Sequence, residues 1–259
     1  MRNIIQLALL AVTFFAAVLP AASNDDIDKK YLRAAKRYRF KISSEFEFPP
    51  GISGKKIPIQ EQEAELERFF SALDNLGVKF VRKSGLERVI VCRDLTHNGL
   101  KCAGVTLDDC IYLNYGFKKK IVYHEMFHVL DEKYNDPVWS KLNHRDFRYL
   151  GVDYPHLPVK AARRKALREH YRKVKRNFDA DFVSRYAQSK EREDRAETFA
   201  CMVDEGPAFL QRVQKSTVLY NKMLYIIDMT GRSSLLGRDY WKMRLGRDFT
   251  GKKSPAKRR

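Results

Sequence analysis

The chain of 259 residues has two tryptophans, 13 glycines and nine prolines, and no glycine-, serine- or proline-rich stretch interrupts it. Flexible inter-domain linkers and repeat arrays are therefore excluded. Its four cysteines, Cys92, Cys102, Cys110 and Cys201, contain no Cys-x-x-Cys pair, which removes a zinc ribbon. There is no Gly-x-Gly-x-x-Gly and no Gly-x-Ser-x-Gly, so dinucleotide binding and the α/β-hydrolase elbow have no support. The segment from Gly246 to Lys253 is close to a phosphate-binding loop, but Lys253 stands where a Ser or Thr must hold magnesium. Acid is also scarce: 32 Asp and Glu against 50 Lys and Arg, a net charge of +18.

What is present begins with a leader. Arg2 precedes an uncharged, mostly apolar run over residues 4–19, and Pro20-Ala21-Ala22-Ser23 supplies small residues. This predicts a signal peptide over 1–23 with cleavage near Ser23. It also predicts a secreted or periplasmic protein, since Pro20 and the small residues favour cleavage over a retained anchor of about 20 residues. The remainder, 24–259, is long enough for one domain with a full core. In an oxidising compartment an even cysteine count predicts at least one disulfide, placed within 92–110. The positive field favours an anionic envelope polymer as partner. Aromatic residues are thin in the basic run, so no nucleic acid is expected; a monomer is.

The order of elements follows from periodicity. DIDKKYLRAAKRY and QEAELERFFSALDNLG read as helices, the second ending at Gly77. VKFV, RVIVC and IYLNY (111–115) read as strands. FKKKIVYHEMFHVLDEKY then reads as one helix, stopped at Asn135-Asp136-Pro137. Beyond it the pattern is mainly helical, with nine Lys or Arg between 159 and 178. Mixed structure followed by helices predicts an α+β fold of two lobes with a cleft between them. The N-lobe covers about 24–135 and the C-lobe about 136–245; a basic tail occupies 246–259.

His124-Glu125-Met126-Phe127-His128 lies within the third segment read as a helix. A step of four residues turns a helix by about 400° and raises it by about 6 Å, so His124 and His128 share a face. Both imidazoles can then meet one zinc ion. Glu125, offset by about 100°, reaches a water on that zinc rather than completing the pair. A catalytic zinc needs a third protein ligand and one open position. The metzincin continuation is excluded, because Asp131 and Tyr134 occupy the glycine and histidine places. His144, His156 and His170 have no motif around them. In RYAQSKEREDRAETFA, Glu193 and Glu197 are four apart on a helix. One can bind zinc while the other holds a histidine N–H. Tyr186 precedes Glu193 by seven residues and can bring a phenol over the metal from the other side.

On His-Glu-x-x-His at 124–128 and Tyr-x6-Glu-x3-Glu at 186, 193 and 197, the chain resembles the glutamate-zincins. The resemblance is to the group of anthrax lethal factor and the Pro-Pro endopeptidases, and to bacterial envelope zinc-binding metallopeptidases; it spans about residues 110–204. It implies a zincin-like metalloprotease fold of gluzincin type with one catalytic Zn2+ on His124, His128 and Glu193. It also implies Glu125 as general base and acid, Tyr186 as oxyanion partner, and Glu197 behind a ligand. The expected activity is hydrolysis of a peptide or protein substrate lying extended along 111–115. Two rivals share the scaffold: a non-catalytic envelope-binding protein, and a zinc amidase acting on a non-peptide amide. The basic segment 159–178 has no counterpart in that resemblance.

Overall fold

Helix α1 (Lys29–Tyr38) starts where Asp28 caps the Lys30 N–H at 2.7 Å and stops where Arg39 takes a left-handed conformation. Its Tyr31, Ala35 and Tyr38 fall on one face and are buried against the aromatic side chains of α2 (Ile59–Leu76). These come from a computed structural model that describes residues 27–43, 48–131, 133, 138–151, 165, 169 and 178–249. The leader over 1–23, most of the basic run at 159–178 and the tail from 250 lie outside the described residues.

Residues 78–81, expected as a strand, instead begin helix α3 (Val78–Ser84). Gly77, at φ +80°, breaks α2 and lets the chain restart. Phe80, Val81 and Ser84 are the buried positions, a helical spacing that a four-residue window of β-branched and aromatic residues conceals. Phe80 stacks on Phe199 of the other lobe at 5.6 Å.

The sheet is mixed. Strands β1 (Lys41–Ile42), β3 (Arg88–His97) and β6 (Cys110–Asn114) run parallel, and β5 (Gly104–Leu107) closes the far edge antiparallel to β6. The other end of β3 pairs with β2 (Ile52–Lys55) and β4 (Leu100–Lys101). Val89 to Cys92 are buried in succession, the pattern of a strand covered on both faces. One face meets the main core, and the other a small cluster of Ile52, Ile90, Leu95 and Tyr112. Strand β6 lies between β3 and β5, so its backbone groups are already paired. The expectation that a substrate lies along 111–115 is therefore corrected: the available edge is β5.

Helix α4 (Lys119–Asp131) follows, buried at every position from Val122 to Asp131. The second lobe is helical, with α5 (Glu191–Glu205), α6 (Phe209–Val213), α7 (Thr217–Arg232) and α8 (Arg238–Leu245). Ser216 caps α7 by accepting the Leu219 N–H at 3.0 Å, which divides the stretch after Pro207 into two helices. Among the described residues no helix is long and apolar enough to cross a membrane.

All four cysteines are free thiols, against the expected bridge within 92–110. Register gives a reason for one pair: Cys92 sits opposite Asn114, and Cys110 opposite Arg88. Four residues of strand, about 13 Å, separate them along the parallel pair, beyond the reach of a disulfide. Burial pushes the thiols of Cys92, Cys102 and Cys201 up to about 12, so none is a ready nucleophile.

Candidate metal centre

The two lobes meet where α4 lies against α5. Buried Arg195 grips Asp131 with Nε 2.8 Å from Oδ1 and Nη2 2.8 Å from Oδ2. On the next residue along α5, the Asp194 carboxylate is anchored in the second lobe's core. Lys222 Nζ lies 2.8 Å from its Oδ2, and neither side chain is exposed at all. Trp139 Nε1 and the Tyr149 hydroxyl donate to the same oxygen at 2.9 and 2.8 Å. These contacts fix how α5 is turned, and so where Glu193 and Glu197 point.

His124 Nε2 and His128 Nε2 are 2.9 Å apart, and Glu193 Oε2 is 3.2 Å from each. All three side chains are buried. Donors in a tetrahedral zinc site with bonds of about 2.0–2.1 Å are separated by about 3.3 Å, so this triangle has nearly the size a zinc ion requires. The donor set, two imidazoles and a carboxylate, matches zinc chemistry as well. Three lone-pair-bearing atoms converging out of water are costly without a cation between them. The residues fit the group.

Charge in the metal-free arrangement divides accordingly. Burial would lower the pKa of His124, but the adjacent carboxylates of Glu193 and Glu197 outweigh it and raise it to about 10. Burial, reinforced by the His124 charge, pushes His128 down to about 4. Burial alone would raise Glu193, yet its two histidine partners hold it well below the usual carboxylate range.

Glu197 stands behind His124, its Oε1 3.1 Å from Nδ1. The contact is close enough for an ion pair but lies off a good hydrogen-bond line, leaving Nδ1 without a well-aligned partner. Ser184 and Lys120 hold the other Glu197 oxygen at 2.8 and 3.3 Å. Glu125 lines the same hollow as the triangle, and the Thr106 hydroxyl of β5 donates to its Oε2 at 2.8 Å. Burial outweighs its positive neighbours and raises the Glu125 carboxyl to about 7. Strand and helix approach so closely that a Cβ on Gly104 would lie 2.9 Å from Glu125 Cγ and 2.7 Å from Ile121 Cγ2. Tyr186, in a single 3-10 turn just before α5, stacks on the His124 ring at 5.9 Å.

Every residue expected at the site is thus in one place. His144 is not: it lies beside Asp146 and packs on Phe178, and His156 and His170 fall outside the described residues. Sequence reasoning missed Thr106, Gly104, Lys120, Ser184 and Arg192. Arg192 donates from Nε to His128 Nδ1 at 3.0 Å. Two adjoining hollows, of about 160 and 220 Å³, share Gly104, His124, Glu125 and Tyr186 and form the cleft. A larger hollow of about 830 Å³ between α1 and β1 contains none of these residues.

No protein-family model and no curated protein matches the chain. A solved structure does: a "putative zinc-binding metallo-peptidase" from Bacteroides caccae. It is 16% identical, covers 85% of this chain and 90% of its own, and superposes with a TM-score of 0.51. At that identity the likeness is one of fold, and the fold it supports is the two-lobed, zincin-like α+β arrangement described above.

Proposed function

We propose that the protein is a zinc-dependent metallopeptidase of gluzincin type, acting outside the cytoplasm on extended peptide substrates. One observation carries the reading: His124, His128 and Glu193 converge to the size of a zinc site while the unliganded Glu125 faces the same cleft. Zinc, when held there, polarises a carbonyl and lowers the pKa of a coordinated water to about 7.

The chain's own residues do the rest. Glu125 accepts a proton from the attacking water and returns it to the leaving amine. Thr106 keeps one Glu125 oxygen engaged, so the proton moves through the other. Tyr186, across the cleft on the His124 side, donates its phenolic hydrogen to the oxyanion. The outer edge of β5 receives the substrate backbone as an added strand, and Gly104 on that strand keeps it close to Glu125. Glu197, through His124, holds the ring in its ligating orientation. Export and a basic surface suited to anionic envelope polymers complete the reading.

Elemental analysis of the purified chain should find one zinc per molecule, and a chelator should abolish peptide hydrolysis. Chelator-resistant hydrolysis would overturn the assignment of zinc to catalysis. Zinc bound equally well by Glu193→Ala would remove the third ligand.

A further inference from the structure

The large hollow beside α1 opens on a sheet edge. Strand β1 pairs with β3 on one side, and among the described residues no strand lies on its other. The Lys41 and Ser43 N–H groups donate to Glu87 O and Val89 O at 2.9 and 3.1 Å. Bonding directions alternate along a strand of a parallel pair, so the N–H and C=O of Ile42, between them, point away from the sheet. Outward main-chain groups of this kind are a template for an added strand.

The side chains around that edge are sorted by face. Lys41 stands opposite Arg88 and Ile42 opposite Val89, and residues opposite one another share a face of the sheet. One face is therefore cationic and exposed, while on the other Ile42 packs against the main core that buries Val89. Helix α1 lines the same hollow with exposed Lys36 and Arg39 and with Leu32, whose 46% exposure leaves apolar surface open there. No ion pair joins Lys36, Arg39, Lys41 or Arg88 to a described residue. Glu87, also exposed, is the acid among the described lining residues.

We propose that this edge docks an extended segment of a partner protein in which acidic residues alternate with apolar ones. The segment's main chain pairs with Ile42. Its Asp or Glu side chains meet Lys41 and Arg88, and its apolar side chains lie over Ile42 and Leu32. A second copy of this chain is a poor occupant, because its own β1 brings the same cations and each chain carries a net charge of +18. The surface shares no residue with the cleft, so it stands apart from the metallopeptidase reading.

The test uses the full chain carrying Glu125→Gln, so that no peptide is consumed at the cleft. Fluorescence anisotropy compares a peptide alternating Glu with Val, a shuffled peptide of the same composition, and one alternating Lys with Val. Amide exchange over residues 40–43 is followed by mass spectrometry. The alternating Glu peptide should bind and slow exchange there, and the other two should do neither. Lys41→Glu combined with Arg88→Glu, both at exposed positions, should weaken binding about tenfold or more, the strength of a charge-assisted hydrogen bond. Ile42→Pro removes the outward N–H, a change that edge strands tolerate, and should abolish binding; thermal unfolding checks that each variant folds. Equal affinity for the alternating and shuffled Glu peptides, affinity untouched by the double charge reversal, or protection confined to β5 would overturn the proposal. So would binding of anionic lipid vesicles without binding of peptide, which gives the patch to a membrane. Self-association abolished by the charge reversal would overturn it too, in favour of a second copy.

Discussion

Arg195 and Asp131 are joined by two parallel contacts of 2.8 Å across the boundary between the helices that carry His128 and Glu193. The pair sits two residues from Glu193 on one side and three from His128 on the other, so it sets the spacing of the site without touching it. Removing Arg195 takes this partner from the buried Asp131 carboxylate, at a cost of about 3–5 kcal/mol. Arg195→Leu should lower the denaturation midpoint accordingly and weaken zinc binding. Asp131→Leu combined with Arg195→Leu should recover most of the stability. Chemical denaturation of the three proteins checks this, and an additive loss in the double variant would show that the pair does not act as a pair.

Glu125→Gln should keep zinc and fold while kcat/KM falls by about 10²–10⁴, the range of general-base catalysis. Zinc content and peptide turnover on the same preparation decide it. Unimpaired turnover would favour a binding role for the scaffold.

Tyr186→Phe should reduce kcat more than it raises KM, because the phenol's bond to the oxyanion strengthens only in the transition state. Loss of a comparable donor costs at most about 4 kcal/mol, and here the metal shares the charge. Steady-state kinetics with unchanged zinc content is the expected result. A rate within about twofold of the parent would make Tyr186 a packing residue on the His124 ring.

Gly104→Ala tests the close approach of β5 to the base. The new methyl would lie 2.9 Å from Glu125 Cγ and Oε1, so Glu125 or the strand must move. Zinc should remain at one per chain while turnover falls by about 10²-fold, the loss expected of a misplacement of about 1 Å. Hydrolysis at the parental rate would show that the strand edge yields freely.

His124, raised to about 10 in the metal-free protein, makes a pH prediction. A raised folded-state value gives stability that is fully present below the ordinary 6.5 and is lost as pH climbs through about 10. At neutral pH the ring therefore holds a proton that zinc must expel to reach Nε2. Zinc affinity should keep rising by about tenfold per pH unit between pH 7 and 8.5. Calorimetry in buffers of different ionisation enthalpy should count about one proton released. Affinity that levels off above pH 6.5 would mean that His124 titrates as an ordinary histidine.

The candidate metal ligands were legible because helix geometry converts a spacing of four into a shared face, and both His124/His128 and Glu193/Glu197 use it. Tyr186 was legible only through the resemblance, since seven residues across a 3-10 turn carry no fixed direction. Gly104, Thr106 and Lys120 were not legible. Their roles depend on how β5 and α4 stack, which is a property of tertiary packing rather than of any local period. The strand expected at 78–81 failed for the opposite reason: Val-Lys-Phe-Val suits a strand locally, and burial beside Phe199 selected the helix. Of the bridges expected within 92–110, Cys92–Cys110 is ruled out by the parallel register of β3 and β6, which sets the two at opposite ends of the pair.

The two buried ion pairs beside the centre, Asp131–Arg195 and Asp194–Lys222, have a consequence for how the protein handles its metal. Both are complete without an ion, and both are buried in the core. The scaffold consequently resembles a socket more than a zinc finger, whose chain folds only around its ion. Stripping the ion should silence the molecule without dismantling it. A chain built this way can stand empty, load where zinc is abundant, and be switched off and on again by the metal supply of its surroundings.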